Sequence, residues 1–100
     1  MSTLCLTLAE KSMEVLREKL RYYAGRVPMI EVRLDYLSPV RLPESPDRSE
    51  TELIATCRPA REGGRFAGSE KERIRILQSA VEAGFSWIDL EHDAGEMIEA

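Results

Sequence analysis

The chain has 100 residues, room for one small domain at most. A hydrophobic fraction of 43% with 32% charged residues marks a folded globular chain and not a disordered one. The net charge of −4 argues against nucleic-acid binding, which needs a basic surface, and no apolar run approaches the ~20 residues of a membrane span.

The opening segment, Met1 to Leu8, lacks a basic lead and a small-residue cleavage site. It reads as a first strand from Leu4 to Leu8, not as a signal peptide, and a cytoplasmic location is expected. Ser12 to Tyr23 has helical spacing, with Met13, Leu16, Leu20 and Tyr23 on one face and Glu14, Arg17, Glu18 and Arg21 on the other. Gly25 is the expected stop, with Pro28 beyond it. Met29 to Tyr36 reads as the second strand. Ser38 to Glu50 carries Pro39, Pro43 and Pro46, so it is expected to be irregular, with at most one helical turn.

Glu52 to Arg58 is the third expected strand, followed by a glycine-bearing loop from Arg61 to Gly68. Ser69-Glu70-Lys71-Glu72 has the form of a capping box. The helix it opens should bury Ile74, Leu77 and Val81, with Ala80 beside them, and end at Gly84. Ser86 to Glu91 reads as the fourth strand, and Ala94 to Ala100 as the start of another helix. Cys5 and Cys57 fall inside expected strands and read as reduced, buried thiols. Two cysteines and one distant histidine, His92, make a poor metal-ligand set, so no metal is expected.

Strands alternating with helical segments imply parallel pairing with helices outside, an α/β fold. Side-chain alternation then sorts the strands into two faces. Ile30, Val32 and Leu34 oppose Glu31, Arg33 and Asp35. Leu53, Ala55 and Cys57 oppose Ile54, Thr56 and Arg58. Ile88 and Leu90 oppose Trp87, Asp89 and Glu91. The apolar set fits a face covered by helices, and the charged set fits a cleft at the carboxyl ends of the strands. A closed eight-stranded barrel takes roughly 250 residues, so four strands amount to about half of a (β/α)8 TIM barrel. Its exposed edges invite association, a homodimer included.

A charged group at the end of a buried strand loses its hydration unless it faces a pocket or a partner. Glu31 and Arg33 share a face and place acceptors beside donors, which suits the hydroxyl groups of a small polyol. Arg58 adds a fork for a hydroxyl, carbonyl or carboxylate oxygen. Glu62 follows on the loop, where Gly63 and Gly64 let the backbone approach a ligand closely. An internal salt-bridge network at the barrel end is the alternative.

Three blocks carry a family resemblance: Glu31-Val32-Arg33-Leu34-Asp35, Thr56-Cys57-Arg58-Pro59-Ala60-Arg61-Glu62-Gly63-Gly64, and Ile88-Asp89-Leu90-Glu91. In order and spacing they resemble the N-terminal part of type I 3-dehydroquinate dehydratase, over nearly the whole chain. The resemblance implies an eight-stranded barrel that converts 3-dehydroquinate to 3-dehydroshikimate in the shikimate pathway. A lysine forms an imine with the substrate ketone, and a histidine takes the adjacent proton and assists loss of water. Carried over, Glu31, Arg33 and Arg58 hold the substrate and Glu62 is the acidic residue of the Glu-Gly-Gly loop. Thr7 is a looser match to a hydroxyl residue on the first strand. Asp35 and Asp89 are expected to orient these groups by hydrogen bonds.

The family's lysine and histidine lie on later strands. Lys11, Lys19 and Lys71 all fall in helical segments, and His92 does not match the family's histidine. No catalytic residue is therefore assigned in this chain, no cofactor is implied, and the isolated chain is expected to lack dehydratase activity. The partner implied is the small molecule 3-dehydroquinate. Two other readings stand beside this one: a non-catalytic module that binds a shikimate-type ligand, and a half barrel that self-associates.

Overall fold

The structure is a computed structural model and describes residues 4–44, 50–90 and the backbone of 96–99. Its order is β1 (Cys5–Leu8), α1 (Met13–Tyr23), β2 (Met29–Arg33), β3 (Glu52–Thr56), α2 (Glu70–Glu82), β4 (Trp87–Leu90) and β5 (Glu96–Glu99). The strands form one sheet in sequence order. β1 through β4 pair in parallel, and β5 runs antiparallel to β4.

Both helices begin at a serine cap, the second at the capping box read from the sequence. The Ser12 hydroxyl accepts from the Val15 N–H, and Ser69 and Glu72 cap each other's backbone reciprocally. Past the end of α1, Gly25 adopts φ +83°, a conformation that needs glycine. Its N–H donates to the Thr51 hydroxyl at 2.7 Å, which ties the helix end to the start of β3. One face of the sheet packs on the helices. Leu8, Ile30, Val32, Leu53 and Ala55 meet Met13, Leu16 and Leu20 of α1 and Leu77 and Ala80 of α2. Each large side chain fully buried there, such as Leu16, Ile30 or Leu77, contributes about 1.5–3 kcal/mol by leaving water.

The structure departs from the sequence reading at five places. The second strand stops at Arg33, and Leu34–Tyr36 form one turn of 3-10 helix. Asp35 turns back there to meet Arg33. The connection expected to be irregular from Ser38 forms no helix over residues 38–44, in keeping with Pro39 and Pro43, and Pro46 lies outside the described residues. Second, Glu96–Glu99 is a strand and not part of a helix. The outer edge of β4 presents unpaired backbone groups, and this segment takes them up.

Third, α2 buries Arg73, Leu77 and Ala80, while Ile74 and Val81 are exposed. The helix is rolled so that Arg73, 2% exposed, can donate to the Cys57 carbonyl at 3.2 Å and to both Glu70 oxygens. Fourth, Cys5 is exposed; it lies on the edge strand, on the side away from the helices. Cys57 is buried as expected, and burial, with the Asp35 charge adding, pushes its thiol up to about 12. Fifth, Lys11 precedes the α1 cap and belongs to the loop after β1, so it is neither helical nor remote from a strand end.

The Glu70–Arg73 pair carries a pH dependence. Hydrogen bonds from Arg73 and then Arg61 hold the Glu70 carboxyl at about 2, below its ordinary 4.5. A carboxyl depressed on folding stabilises above its unfolded pKa, and the benefit is lost as pH falls through the folded value. Denaturant midpoints of the wild type and Glu70→Gln should therefore differ at neutral pH and converge between about pH 4.5 and pH 2. The gap should be modest, because Glu70 is half exposed and solvent screens it.

Candidate functional site

Strand register gathers the polar face. Thr7 lies beside Glu31 across β1 and β2, and Arg33, Thr56 and Asp89 stand side by side across β2, β3 and β4. All five are on the side of the sheet away from the two helices, as alternation from the buried Ile30, Val32 and Ala55 requires. They cluster toward the carboxyl ends of the strands.

Glu31 is the centre of this group. The Thr7 hydroxyl donates to its Oε1 at 2.9 Å, and the Thr56 hydroxyl donates to its Oε2 at 2.7 Å. Two hydroxyls from neighbouring strands therefore fix the plane of one carboxylate. Thr56 is fully buried, so its hydroxyl cannot exchange this bond for water without loss. Alternation along β3 puts Thr56 on the Arg58 face without giving it a role. A threonine among the inward-facing positions of a buried strand was the available signal.

Arg33 and Asp35 form a side-on, two-point pair. Nε and Nη2 of Arg33 donate to Oδ1 and Oδ2 of Asp35 at 3.1 and 2.8 Å, with 14% and 0% of the side chains exposed. Burial works against the Arg33 charge, and the Asp35 contact more than offsets it, with Glu31 adding; the guanidinium pKa is raised. The Arg65 backbone N–H also donates to Asp35 Oδ2, at 3.0 Å, so one carboxylate joins Arg33 to the loop after β3. Arg58 Nη2 lies 3.3 Å from Asp89 Oδ2, a second guanidinium beside a largely buried carboxylate.

Arg58 itself is positioned by the glycines that follow. A one-turn 3-10 helix, Ala60–Glu62, ends on Gly63 at φ +87°. Gly64 then passes so close to the Arg58 backbone that a Cβ there would meet the Arg58 carbonyl oxygen at 2.0 Å. The Phe66 N–H donates to that same carbonyl at 3.1 Å. In this structure the close approach made by the Gly63-Gly64 pair is to the chain's own backbone. No hydrogen bond joins Glu62 to the Glu31 group among the described residues. Glu62 is half-buried, no hydrogen bond to its side chain occurs among the described residues, and its charge is felt by Arg73. His92 and Glu91 lie outside the described residues. Among the described residues no three His, Cys, Asp or Glu side chains come together as a metal would require. No helix of the described residues is long and apolar enough to cross a membrane.

Four parallel strands with helices on one face, and carboxylates and guanidinium groups gathered on the other near the strand ends, define part of a β/α barrel with a polar cleft. Comparison with known proteins narrows this. The family model described as type I 3-dehydroquinase matches residues 4–100. A 3-dehydroquinate dehydratase of Desulfotalea psychrophila is 40% identical over 94 residues, which cover 93% of this chain and 41% of the relative. One from Syntrophobacter fumaroxidans is 37% identical over 103 residues, covering 95% and 43%. One from Dehalococcoides mccartyi is 39% identical over 69 residues, covering 69% and 31%. The chain belongs to the type I 3-dehydroquinase family. It spans less than half the length of these curated relatives.

Proposed function

We propose that residues 1–100 are the N-terminal part, strands 1 to 4, of a cytoplasmic 3-dehydroquinate dehydratase, and that they supply groups that hold the substrate. The observation that carries this reading is the Glu31 carboxylate, clamped by Thr7 and Thr56 next to Arg33, with Arg58 on the adjoining strand end. The substrate named by the relatives is a hydroxylated ring carrying a ketone and a carboxylate. An ionised carboxylate accepts from its hydroxyl groups, and guanidinium groups donate to its oxygens. Asp35 and Asp89 hold those guanidinium groups in place, so that little side-chain entropy remains to be lost on binding. Glu62 would join from the loop side.

The reaction removes one proton and one hydroxide, together a water, from adjacent ring carbons. In the resemblance drawn from the sequence, a lysine imine withdraws electrons from the first carbon, and a histidine handles the proton. Both belong to later strands of the barrel, so the chain alone should hold substrate without turning it over. The free edge of β1 is where another strand, from a second copy or a longer protein, would extend the sheet.

Titration of the 100-residue chain with 3-dehydroquinate and with quinate, followed by amide NMR, tests this. Saturable shifts centred on Glu31, Thr56 and Arg58 are expected. Glu31→Gln and Arg58→Ala should each weaken binding by about tenfold or more, the effect of removing one charge-assisted contact. No saturation at millimolar ligand, or shifts indifferent to both substitutions, would overturn the reading. Formation of 3-dehydroshikimate above background would overturn the assignment of the chemistry to later strands.

A further inference from the structure

A second concavity lies beside the Glu31 group and is not part of it. It is an open groove of about 560 Å3 between the loops that follow β1, β2 and β3. That volume is of the size that takes a small ligand. Lys11 comes from the first loop, Tyr36 and Val40 from the second, and Arg65 and Phe66 from the third.

Its charge is one-sided. Among the described residues the only carboxylate lining it is Asp35, whose side chain is fully buried and already accepts from Arg33 and from the Arg65 N–H. Lys11 and Arg65 are exposed, and neither has a carboxylate within ion-pair distance among the described residues. Glu72 lies near the Gly68 lip, but its carboxylate is engaged in the Ser69 cap. Two cations thus face a groove whose one acid, among the described residues, is neutralised.

Arg65 is also held in place. Its backbone is anchored on Asp35, and its guanidinium lies 4.5 Å from the centre of the Tyr36 ring, with Arg33 at 5.0 Å from the same ring. Stacking on an aromatic ring leaves the N–H edges of a guanidinium free to donate. Leu37, Val40 and Phe66 supply an apolar wall beside the two cations.

We propose that this groove is an anion-binding site for a small molecule with one acidic group and an apolar ring or chain, the acidic group being a carboxylate or a phosphate monoester. The anion lies between Lys11 and Arg65, and the apolar body rests on Phe66 and Val40. The site adjoins the Glu31 group through Asp35, which lines the groove and holds Arg33, and its occupant need not be a substrate.

Amide NMR of the 100-residue chain at constant ionic strength provides the test, with benzoate, phenyl phosphate and inorganic phosphate as probes. Benzoate, phenyl phosphate or both should shift Tyr36, Val40, Arg65 and Gly68 saturably while leaving Thr7 and Thr56 in place. Whichever saturates tells the carboxylate source from the phosphate source. Lys11→Gln and Arg65→Gln, both at exposed positions that leave the core intact, should each weaken that binding by about tenfold. Inorganic phosphate, which has no apolar body, should bind less tightly than phenyl phosphate. Failure of both organic probes to saturate, or affinity unchanged in both variants, would overturn the site. Inorganic phosphate binding as well as phenyl phosphate would overturn its apolar half. The 3-dehydroquinate titration reads a different set of amides, so the two proposals fail separately.

Discussion

Replacing Asp35 with alanine should destabilise the chain by about 3–5 kcal/mol, the usual cost of leaving a buried charge without its partner. Asp35 has no exposed side-chain surface, and Arg33 has 14%. Removing the carboxylate leaves the guanidinium poorly hydrated, leaves the Arg65 N–H without its acceptor, and undoes the turn at Leu34–Tyr36. For a chain of this size such a loss is a large share of total stability. The denaturation midpoint in urea measures it. The double variant Arg33→Met with Asp35→Ala sharpens the result, because it removes both charges together. It should be more stable than Asp35→Ala alone. An Asp35→Ala cost below about 1 kcal/mol, within the range of an exposed pair, would show that the pair is not structural.

Gly64→Ala should be nearly as damaging, at about 3 kcal/mol, the upper end of what overpacking costs. The obstacle is backbone: a Cβ at this position would stand 2.0 Å from the Arg58 carbonyl oxygen and 2.5 Å from the Arg58 carbonyl carbon. Neither atom can swing aside as a side chain can. The loop would have to open, with loss of the Gly64 N–H bond to the Pro59 carbonyl at 2.9 Å and of the Phe66 bond to Arg58. Since Arg58 lies at the base of this loop, ligand affinity should fall with stability. Gly63→Ala is the informative comparison, because Gly63 has open space around it and is constrained only by its positive φ. It should cost about 1 kcal/mol, from strain alone. Equal effects at both positions would refute the steric account.

Much of the fold was legible in the residues. The capping box of α2, the apolar spacing of α1 and the alternation along β2 and β3 each report a local preference, and local preferences survive folding when the core agrees with them. The same alternation placed Glu31, Arg33, Thr56, Arg58 and Asp89 on one side of the sheet before any pairing was known. The misreadings came where a long-range contact outweighed local pattern. Ile74 and Val81 look like core by spacing, yet Arg73 turns α2 to reach the Cys57 carbonyl. Leu34 to Tyr36 read as the end of a strand, yet they coil into a 3-10 turn in which Asp35 meets Arg33. Glu96–Glu99 is too short to declare a period, and the open edge of β4 decided it.

By itself, then, the order of residues determined where β1 to β4 and the two helices form, which face of the sheet is apolar, and which family the motifs belong to. Periodicity and caps are properties of neighbours along the chain. Tertiary structure alone decided the partners: Thr7 and Thr56 on Glu31, Asp35 between Arg33 and Arg65, Gly64 against Arg58, and the cationic groove between three loops. The bonds of Thr7 and Thr56 to Glu31 and of Arg65 to Asp35 join residues far apart in the chain, and the pairing register that brings them within hydrogen-bond reach arises only when the sheet assembles.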